Sequence, residues 1–295
     1  MSVLDQIVKA YDIRGTVPDQ LNSEVAHALG VGFAKFVPSD RVVVARDMRP
    51  SGPELVDAFT SGLRSHGVGV VDIGLASTDL MYFASGTLDL PGAMFTASHN
   101  PAGYNGVKMC LAGARPVGVD TGLGEIRAMA QSVLDGIGPS ADGASGSYEE
   151  RDLLDAFADH VLSFVDISTI GKLRVVADTA NGMGGLVVPA VIERVPGVEL
   201  EVLFGELDGT FPNHPADPLQ PANQVDLQAR VVSGGFDIGL AFDGDADRVF
   251  VVDESGEGLS GSTTTALLAS ATLRADPGAT ILHNLICSRA VPEVV

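Results

Sequence analysis

Short β-branched runs separated by segments of helical periodicity constrain this chain more than any other feature of it. Arg41-Val42-Val43-Val44-Ala45 is too short for a helix and reads as a buried strand. Ser51-Gly52-Pro53 then leads into a helix over about 53–66. Gly69-Val70-Val71-Asp72-Ile73-Gly74 is the next strand, about 77–87 a helix with Leu80, Phe83 and Ala84 inward, and Gly92-Ala93-Met94-Phe95-Thr96 a further strand. Upstream, about 22–36 has helical spacing with Asn22 or Ser23 as its cap. The alternation resumes with helices at about 149–165, 223–234 and 262–274 and strands at 173–178, 236–242, 249–253 and 279–283. Strand and helix in alternation predict an α/β layer architecture.

With 295 residues, 45% of them hydrophobic, the chain can bury a real core and has the length of about two domains. The Gly/Ser-rich stretch 138–148 is the predicted boundary. The expected division is 1–148, 149–256 and an incomplete third unit, 257–295. Strand-plus-polar-loop units at 42–47, 174–181 and 279–284 form a faint repeat, the third copy unfinished, so a longer protein is expected. No apolar run reaches the roughly 18–20 residues of a spanning helix, and Met1-Ser2-Val3-Leu4-Asp5-Gln6 lacks a secretory n-region. Cys110 and Cys287, far apart and without metal-ligand spacing, fit a reduced cytoplasmic protein. The net charge of −20 repels nucleic acid and anionic membranes. An anionic small-molecule substrate would need a local exception, made by a metal or by clustered Lys and Arg. The sequence leaves the oligomeric state open.

Two stretches carry chemistry. In Thr96-Ala97-Ser98-His99-Asn100-Pro101 the serine sits just past a strand end, where ligands of α/β sheets gather. Asn105-Gly106 predicts a type I′ turn, returning the strand Val107-Lys108-Met109-Cys110-Leu111 so that Lys108 lies near Ser98. A serine hydrolase is disfavoured, because Ser98 lacks flanking glycines and its histidine is a sequence neighbour. His99 is either a turn residue or an acid/base group or substrate contact. In Asp243-Gly244-Asp245-Ala246-Asp247, carboxylates at every second residue of an extended segment would point to one side and call for a hard divalent cation. It is no EF-hand, since Arg248 stands where that loop needs glycine and strands flank it. Three carboxylates cannot fill a Mg²⁺ octahedron. A phosphorylated Ser98 would add an oxygen and about two negative charges. The surplus calls for nearby cations: Arg14, Lys108, Arg248 and, less directly, Lys9. Lys9–Gly15 alone reads as an ordinary surface turn. The Gly-rich Thr179–Gly185 loop has neither dinucleotide nor P-loop spacing and reads as tight packing against a sheet.

Together, Lys9–Gly15, Thr96–Pro101, Tyr104–Lys108, Asp178–Gly182, Asp208–Pro212 and Asp243–Arg248 resemble, in order, the alpha-D-phosphohexomutase family, in its phosphomannomutase/phosphoglucomutase branch. The resemblance implies repeated three-layer α/β domains with mixed sheets sandwiched between helices. It implies an intramolecular phosphotransferase, a cytoplasmic enzyme of carbohydrate metabolism. This would interconvert hexose 1- and 6-phosphates through phospho-Ser98 and a hexose 1,6-bisphosphate, which also serves as activator. Mg²⁺ would be held by Ser98, Asp243, Asp245 and Asp247; Ser98, His99, Lys108 and Arg14 would be catalytic; Lys9, Tyr11, Arg14 and Arg248 would bind substrate. Family members have four domains, with a Gly-Glu-Met-Ser type sugar loop in the third and an Arg/Ser/Thr phosphate loop in the fourth. Neither loop is in this sequence, so little turnover is expected of these residues alone and the choice between mannose and glucose stays open. The alternative is a truncated, non-catalytic protein that binds metal and phosphosugar.

Overall fold

A computed structural model describes residues 2–141 and 145–295; residues 142–144, within the expected boundary stretch, lie outside the described residues. The first unit comprises α1 (Val3–Ile7), β1 (Ile13–Thr16), α2 (Ser23–Phe36), β2 (Arg41–Arg46), α3 (Gly52–Ser65), β3 (Gly69–Leu75), α4 (Thr78–Leu88), β4 (Gly92–Phe95), β5 (Tyr104–Leu111), β6 (Arg115–Pro116), α5 (Leu123–Leu134) and β7 (Tyr148–Glu150). Its sheet runs β1-β5-β4-β2-β3-β7, with β6 paired to β5. Strands β4, β2, β3 and β7 are parallel, whereas β1 and β5 are antiparallel to their neighbours. Side chains alternate between faces along each strand. Val42 and Val44 join one core with Leu29, Phe33 and Phe59 of α2 and α3, while Val43 and Ala45 join another with Leu80, Met81 and Ala84 of α4. Burial on both faces is why β2 reads as an unbroken apolar run.

The remaining chain forms α6 (Leu154–Leu162), β8 (Leu173–Asp178), α7 (Gly184–Ile192), β9 (Val198–Leu203), α8 (Val225–Gly234), β10 (Ile238–Phe242), β11 (Val249–Asp253), α9 (Gly261–Ala275) and α10 (Ala290–Val294). The second sheet runs β11-β10-β8-β9, antiparallel only at β11. Helix α8 covers one face through Leu227 and Val231. On the other face Ala177, Val187 and Val188 share a core with Phe157 of α6, Leu80 of α4 and Met94 of β4. The two sheets are therefore joined through one apolar layer, which fixes the ends of β4 and β10 relative to each other.

Several expectations need correction. Asn105 and Gly106 form no turn: they lie in β5, opposite Gly15 and Arg14, and the chain reverses at 96–103 instead. Glycine is required at 106 by close approach, because a Cβ there would stand 2.2 Å from the Ile13 carbonyl oxygen. The strand still doubles back, with Lys108 opposite Met94. The helix expected over 149–165 is shorter, since Tyr148–Glu150 joins the first sheet beside β3. In α4, Leu80 and Ala84 are buried as expected, but Met81 takes the inward place given to Phe83. Phe83 is half-buried against the ring of Phe157, 5.8 Å between centroids. The run 279–283 is not a strand. An apolar segment becomes one only beside a sheet edge, and no described strand pairs with it; Leu282 is 87% exposed. Strand β9 escaped the sequence reading although Val198-Glu199-Leu200-Glu201-Val202 alternates plainly.

Candidate active site

Strand β4 ends at Phe95, and Thr96, Ala97 and Ser98 continue into the interior. Ser98 is fully buried with φ of 52°, a left-handed backbone uncommon for a residue with a Cβ. Two contacts hold it there. Its N–H donates to Thr96 Oγ1 at 2.9 Å, and its carbonyl accepts from Arg49 Nη2 at 2.9 Å. The hydroxyl then faces the second sheet. Ser98 Oγ donates to Asp243 Oδ2 at 2.8 Å, accepts from Arg248 Nη2, and lies 3.4 Å from His99 Nδ1.

Strand β10 delivers Asp243 at its end. The segment 243–248 is a turn rather than the extended run expected: Ala246 is left-handed at φ 57°, and its N–H donates to the Asp243 carbonyl at 3.1 Å. Convergence of the carboxylates therefore comes from folding back, not from strand alternation. One oxygen each of Asp243, Asp245 and Asp247 lies within 4.8 Å of the others. The loop is seated against the serine through Gly244, where a Cβ would fall 2.5 Å from the Ser98 carbonyl oxygen.

Lys108 Nζ, projected from β5, donates to Asp245 at 2.5 Å and Asp247 at 2.6 Å. Arg248 pairs with Asp243 and, at 3.3 Å, with Asp247. Burial, reinforced by the Asp245 and Asp247 charges, pushes Asp243 up to about 7. Burial acts the same way on Asp245, but Lys108 outweighs it and brings Asp245 down to about 2. Burial likewise opposes the charge on Lys108, yet the two carboxylates win and its pKa is raised, so it stays an ammonium. Burial and the Arg248 charge lower His99. Because Arg248 Nη2 points at His99 Nδ1 from 2.7 Å, Nδ1 is the acceptor and the ring proton sits on Nε2.

The sequence reading missed Thr78. The start of α4 meets this loop: the Thr78 N–H donates to the Asp245 carbonyl at 3.1 Å and its hydroxyl to Asp245 Oδ2 at 2.6 Å. The other oxygen, Asp245 Oδ1, is buried without a hydrogen-bond partner. A buried carboxylate oxygen left bare among converging carboxylates fits a hard cation. The residues present thus suit a metal ion held by Asp243, Asp245 and Asp247.

Arg14 meets the serine loop rather than the carboxylates, with Nη1 donating to Asn100 Oδ1 at 2.7 Å and Nε to Asp12 at 2.7 Å. Lys9 and Tyr11 are not brought in: Lys9 Nζ bonds the Gln6 carbonyl at 2.5 Å and Tyr11 is 83% exposed. Asp47 and Arg49, also missed, are buried beneath the serine loop. The available signal was a charged Arg46-Asp47-Met48-Arg49 directly after a buried strand, where sites collect. A pair of buried Asp178 with half-buried His214 at 3.0 Å, beside the Thr179–Gly185 loop, had no such signal. That loop packs against the sheet as expected, its Thr179 N–H donating to the Leu203 carbonyl of β9 at 3.2 Å, and it also meets the carboxylate turn, its Met183 N–H donating to the Gly244 carbonyl at 2.9 Å.

The chain is similar in sequence and in fold to known proteins. Residues 5–133 match the family model for phosphoglucomutase/phosphomannomutase alpha/beta/alpha domain I, and residues 155–257 that for domain II. The chain is 38% identical over 281 residues to a phosphomannomutase of Salmonella montevideo, covering 94% of this chain and 61% of that one. It is 39% identical over 296 residues to a phosphomannomutase/phosphoglucomutase of Pseudomonas syringae, covering 99% and 61%. A crystal structure of a phosphoglucomutase/phosphomannomutase family protein from Burkholderia thailandensis superposes with a TM-score of 0.87 at 36% identity, covering all of this chain and 65% of that one. The chain spans about three fifths of the length of the curated relatives it matches.

Proposed function

We infer function from one premise: this chain belongs to the phosphoglucomutase/phosphomannomutase family. We propose that it carries the phosphoryl-transfer centre of a phosphohexomutase that interconverts hexose 1- and 6-phosphates of mannose, glucose or both. Residues 1–150, with β7 kept in the first sheet, supply the serine loop, 151–256 the carboxylate loop, and 257–295 begin a third domain. The observation that carries the reading is the hydrogen bond from Ser98 Oγ to Asp243 Oδ2, 2.8 Å across 145 residues of sequence. A lone buried serine has many uses; one set against three converging carboxylates and two cations has few.

Phospho-Ser98 donates its phosphoryl group to the free hydroxyl of a hexose monophosphate. The new P–O bond forms at the sugar hydroxyl, which gives up its proton, as the bond to Ser98 Oγ breaks and that oxygen takes up a proton, giving a hexose 1,6-bisphosphate. In the return step the other phosphoryl group passes to Ser98: its P–O bond to the sugar breaks, the sugar oxygen gains a proton, and the Ser98 hydroxyl loses its own. Two acceptors stand within reach, Asp243 Oδ2 at 2.8 Å and His99 Nδ1 at 3.4 Å. Arg248, already on Ser98 Oγ, steadies charge on the transferred group. Lys108 holds Asp245 and Asp247 in place and offsets their charge. Arg14 orients the loop through Asn100. Mg²⁺, held by Asp243, Asp245, Asp247 and the serine phosphate, would supply charge neutralisation to a reaction that depends chiefly on positioning and electrostatics. Lys9 and Tyr11 would reach substrate from their exposed loop.

The test is incubation with mannose or glucose 1,6-bisphosphate and Mg²⁺, followed by intact-mass measurement. The expected result is a gain of one phosphoryl group that maps to Ser98 and is absent from Ser98→Ala. Protein that binds Mg²⁺ but never takes up the group would overturn the reading in favour of a non-catalytic metal-binding protein.

A further inference from the structure

Beneath the serine loop lies a charge pair that the chemistry above does not use. Arg49 and Asp47 are both fully buried, with Arg49 Nε donating to Asp47 Oδ2 at 3.1 Å. The remaining guanidinium hydrogens go to main-chain carbonyls of one loop. Nη1 donates to Pro101 and Tyr104, each at 2.8 Å, and Nη2 to Ser98 at 2.9 Å and Asn100 at 2.7 Å. All five guanidinium donors are thus used, four of them on residues 98–104. On the other side of Ser98, Asp47 meets the Thr96 hydroxyl, which accepts the Ser98 N–H at 2.9 Å. The pair therefore grips the serine from both neighbours.

The second unit closes over this grip. The Phe211 ring stands 5.3 Å from the guanidinium carbon, and a Cβ on Gly209 would lie 2.6 Å from Arg49 Cα. Residues 208 and 213 are tied to Asn181 at the end of β8, through the Asp208 N–H at 3.0 Å and the Asn213 amide at 2.8 Å. A cavity of about 180 Å³ between His99, Asn100, Pro101, Phe211 and Pro215 marks the seam.

We propose that Arg49, fixed by Asp47 and capped by Phe211, is a positioning residue for phosphoryl transfer: it holds Ser98 in its left-handed backbone, with the hydroxyl aimed at Asp243. An anchor that served stability alone would not need to spend four donors on the loop bearing the reacting group. The inference rests on the reading of Ser98 as the phosphoryl carrier. Arg49→Lys keeps the charge opposite Asp47 but offers at most three donors and no planar fork.

The test uses the bisphosphate labelling assay on Arg49→Lys and on Phe211→Ala, with a thermal melt and amide hydrogen exchange on the same samples. In folded Arg49→Lys the maximal labelling rate should fall about 100-fold, the scale of an ångström-size misplacement. The bisphosphate concentration for half-maximal rate should stay within about threefold, since the groups that bind phosphate are intact. Exchange should rise at 98–104 and not in β2 or β3. Phe211→Ala should lower the rate in the same sense, and decides the matter if Arg49→Lys does not melt cooperatively. A folded variant with the wild-type labelling rate and unchanged exchange at 98–104 overturns the proposal. Wild-type protein that fails to label overturns the functional reading instead, and the exchange pattern alone then decides whether Arg49 positions the loop.

Discussion

At the scale of single residues, Lys108 is the hinge of the electrostatics. Its ammonium, 14% exposed, is the partner of a fully buried Asp245. Removing one member of a buried pair leaves the other uncompensated and costs about 3–5 kcal/mol. Lys108→Met is expected to destabilise by that order in metal-free buffer and to regain part of the loss in Mg²⁺, because a cation bound only by the folded state stabilises it. Melting curves with chelator and with Mg²⁺ check both halves; a variant indifferent to Mg²⁺ contradicts the metal site. His214 gives a pH signature. Its hydrogen bond to Asp178 raises its pKa above the ordinary 6.5. A raised folded-state value stabilises fully below the unfolded pKa, and that contribution disappears as pH rises through the folded one. Melting temperatures of wild type and His214→Gln should therefore differ most in mild acid and converge on the alkaline side; a gap that is flat with pH or widens on the alkaline side counts against it.

At the scale of elements, the site is built by two strand ends and two turns pressed together. Gly244 lets the carboxylate turn approach the Ser98 carbonyl. Gly244→Ala is predicted to cost about 1–3 kcal/mol by overpacking, read by denaturant unfolding, and to weaken Mg²⁺ binding as the turn backs away. Neutral behaviour in both would show that the loops do not need this contact. Strand β2 was legible because burial on both faces imposes an apolar run. Asn105-Gly106 misled because its local signal is that of a turn, whereas β1 needs glycine beside the Ile13 carbonyl. Turn propensity yielded to sheet pairing. The carboxylate run was legible in composition but not in shape: Ala246 turns the backbone left-handed, which no alternation pattern announces.

At the scale of the whole molecule, the site draws its members from 14 to 248 and closes only because the two sheets share an apolar layer through α4 and α6. Ser98, Lys108, Arg248 and the aspartates could be singled out from the sequence as reactive or charged groups at strand ends. Asp47 and Arg49 had only a charged run after a buried strand as a signal, and Thr78 had none, because their roles are contacts between segments distant in the chain, such as Thr78 with Asp245 across 167 residues. With a net charge of −20, the molecule offers an anionic sugar phosphate little attraction except where cations and metal gather. In the proposed function, serine and carboxylates form one metal–phosphoserine centre. That claim is tested most directly by Mg²⁺ titration calorimetry on the protein before and after phosphorylation by a hexose 1,6-bisphosphate, with Asp245→Asn alongside. The added phosphate oxygen and its roughly two negative charges should tighten binding at least about tenfold, while Asp245→Asn weakens it in both forms. Equal Mg²⁺ affinity with and without the phosphoryl group, or binding indifferent to Asp245→Asn, would contradict the account.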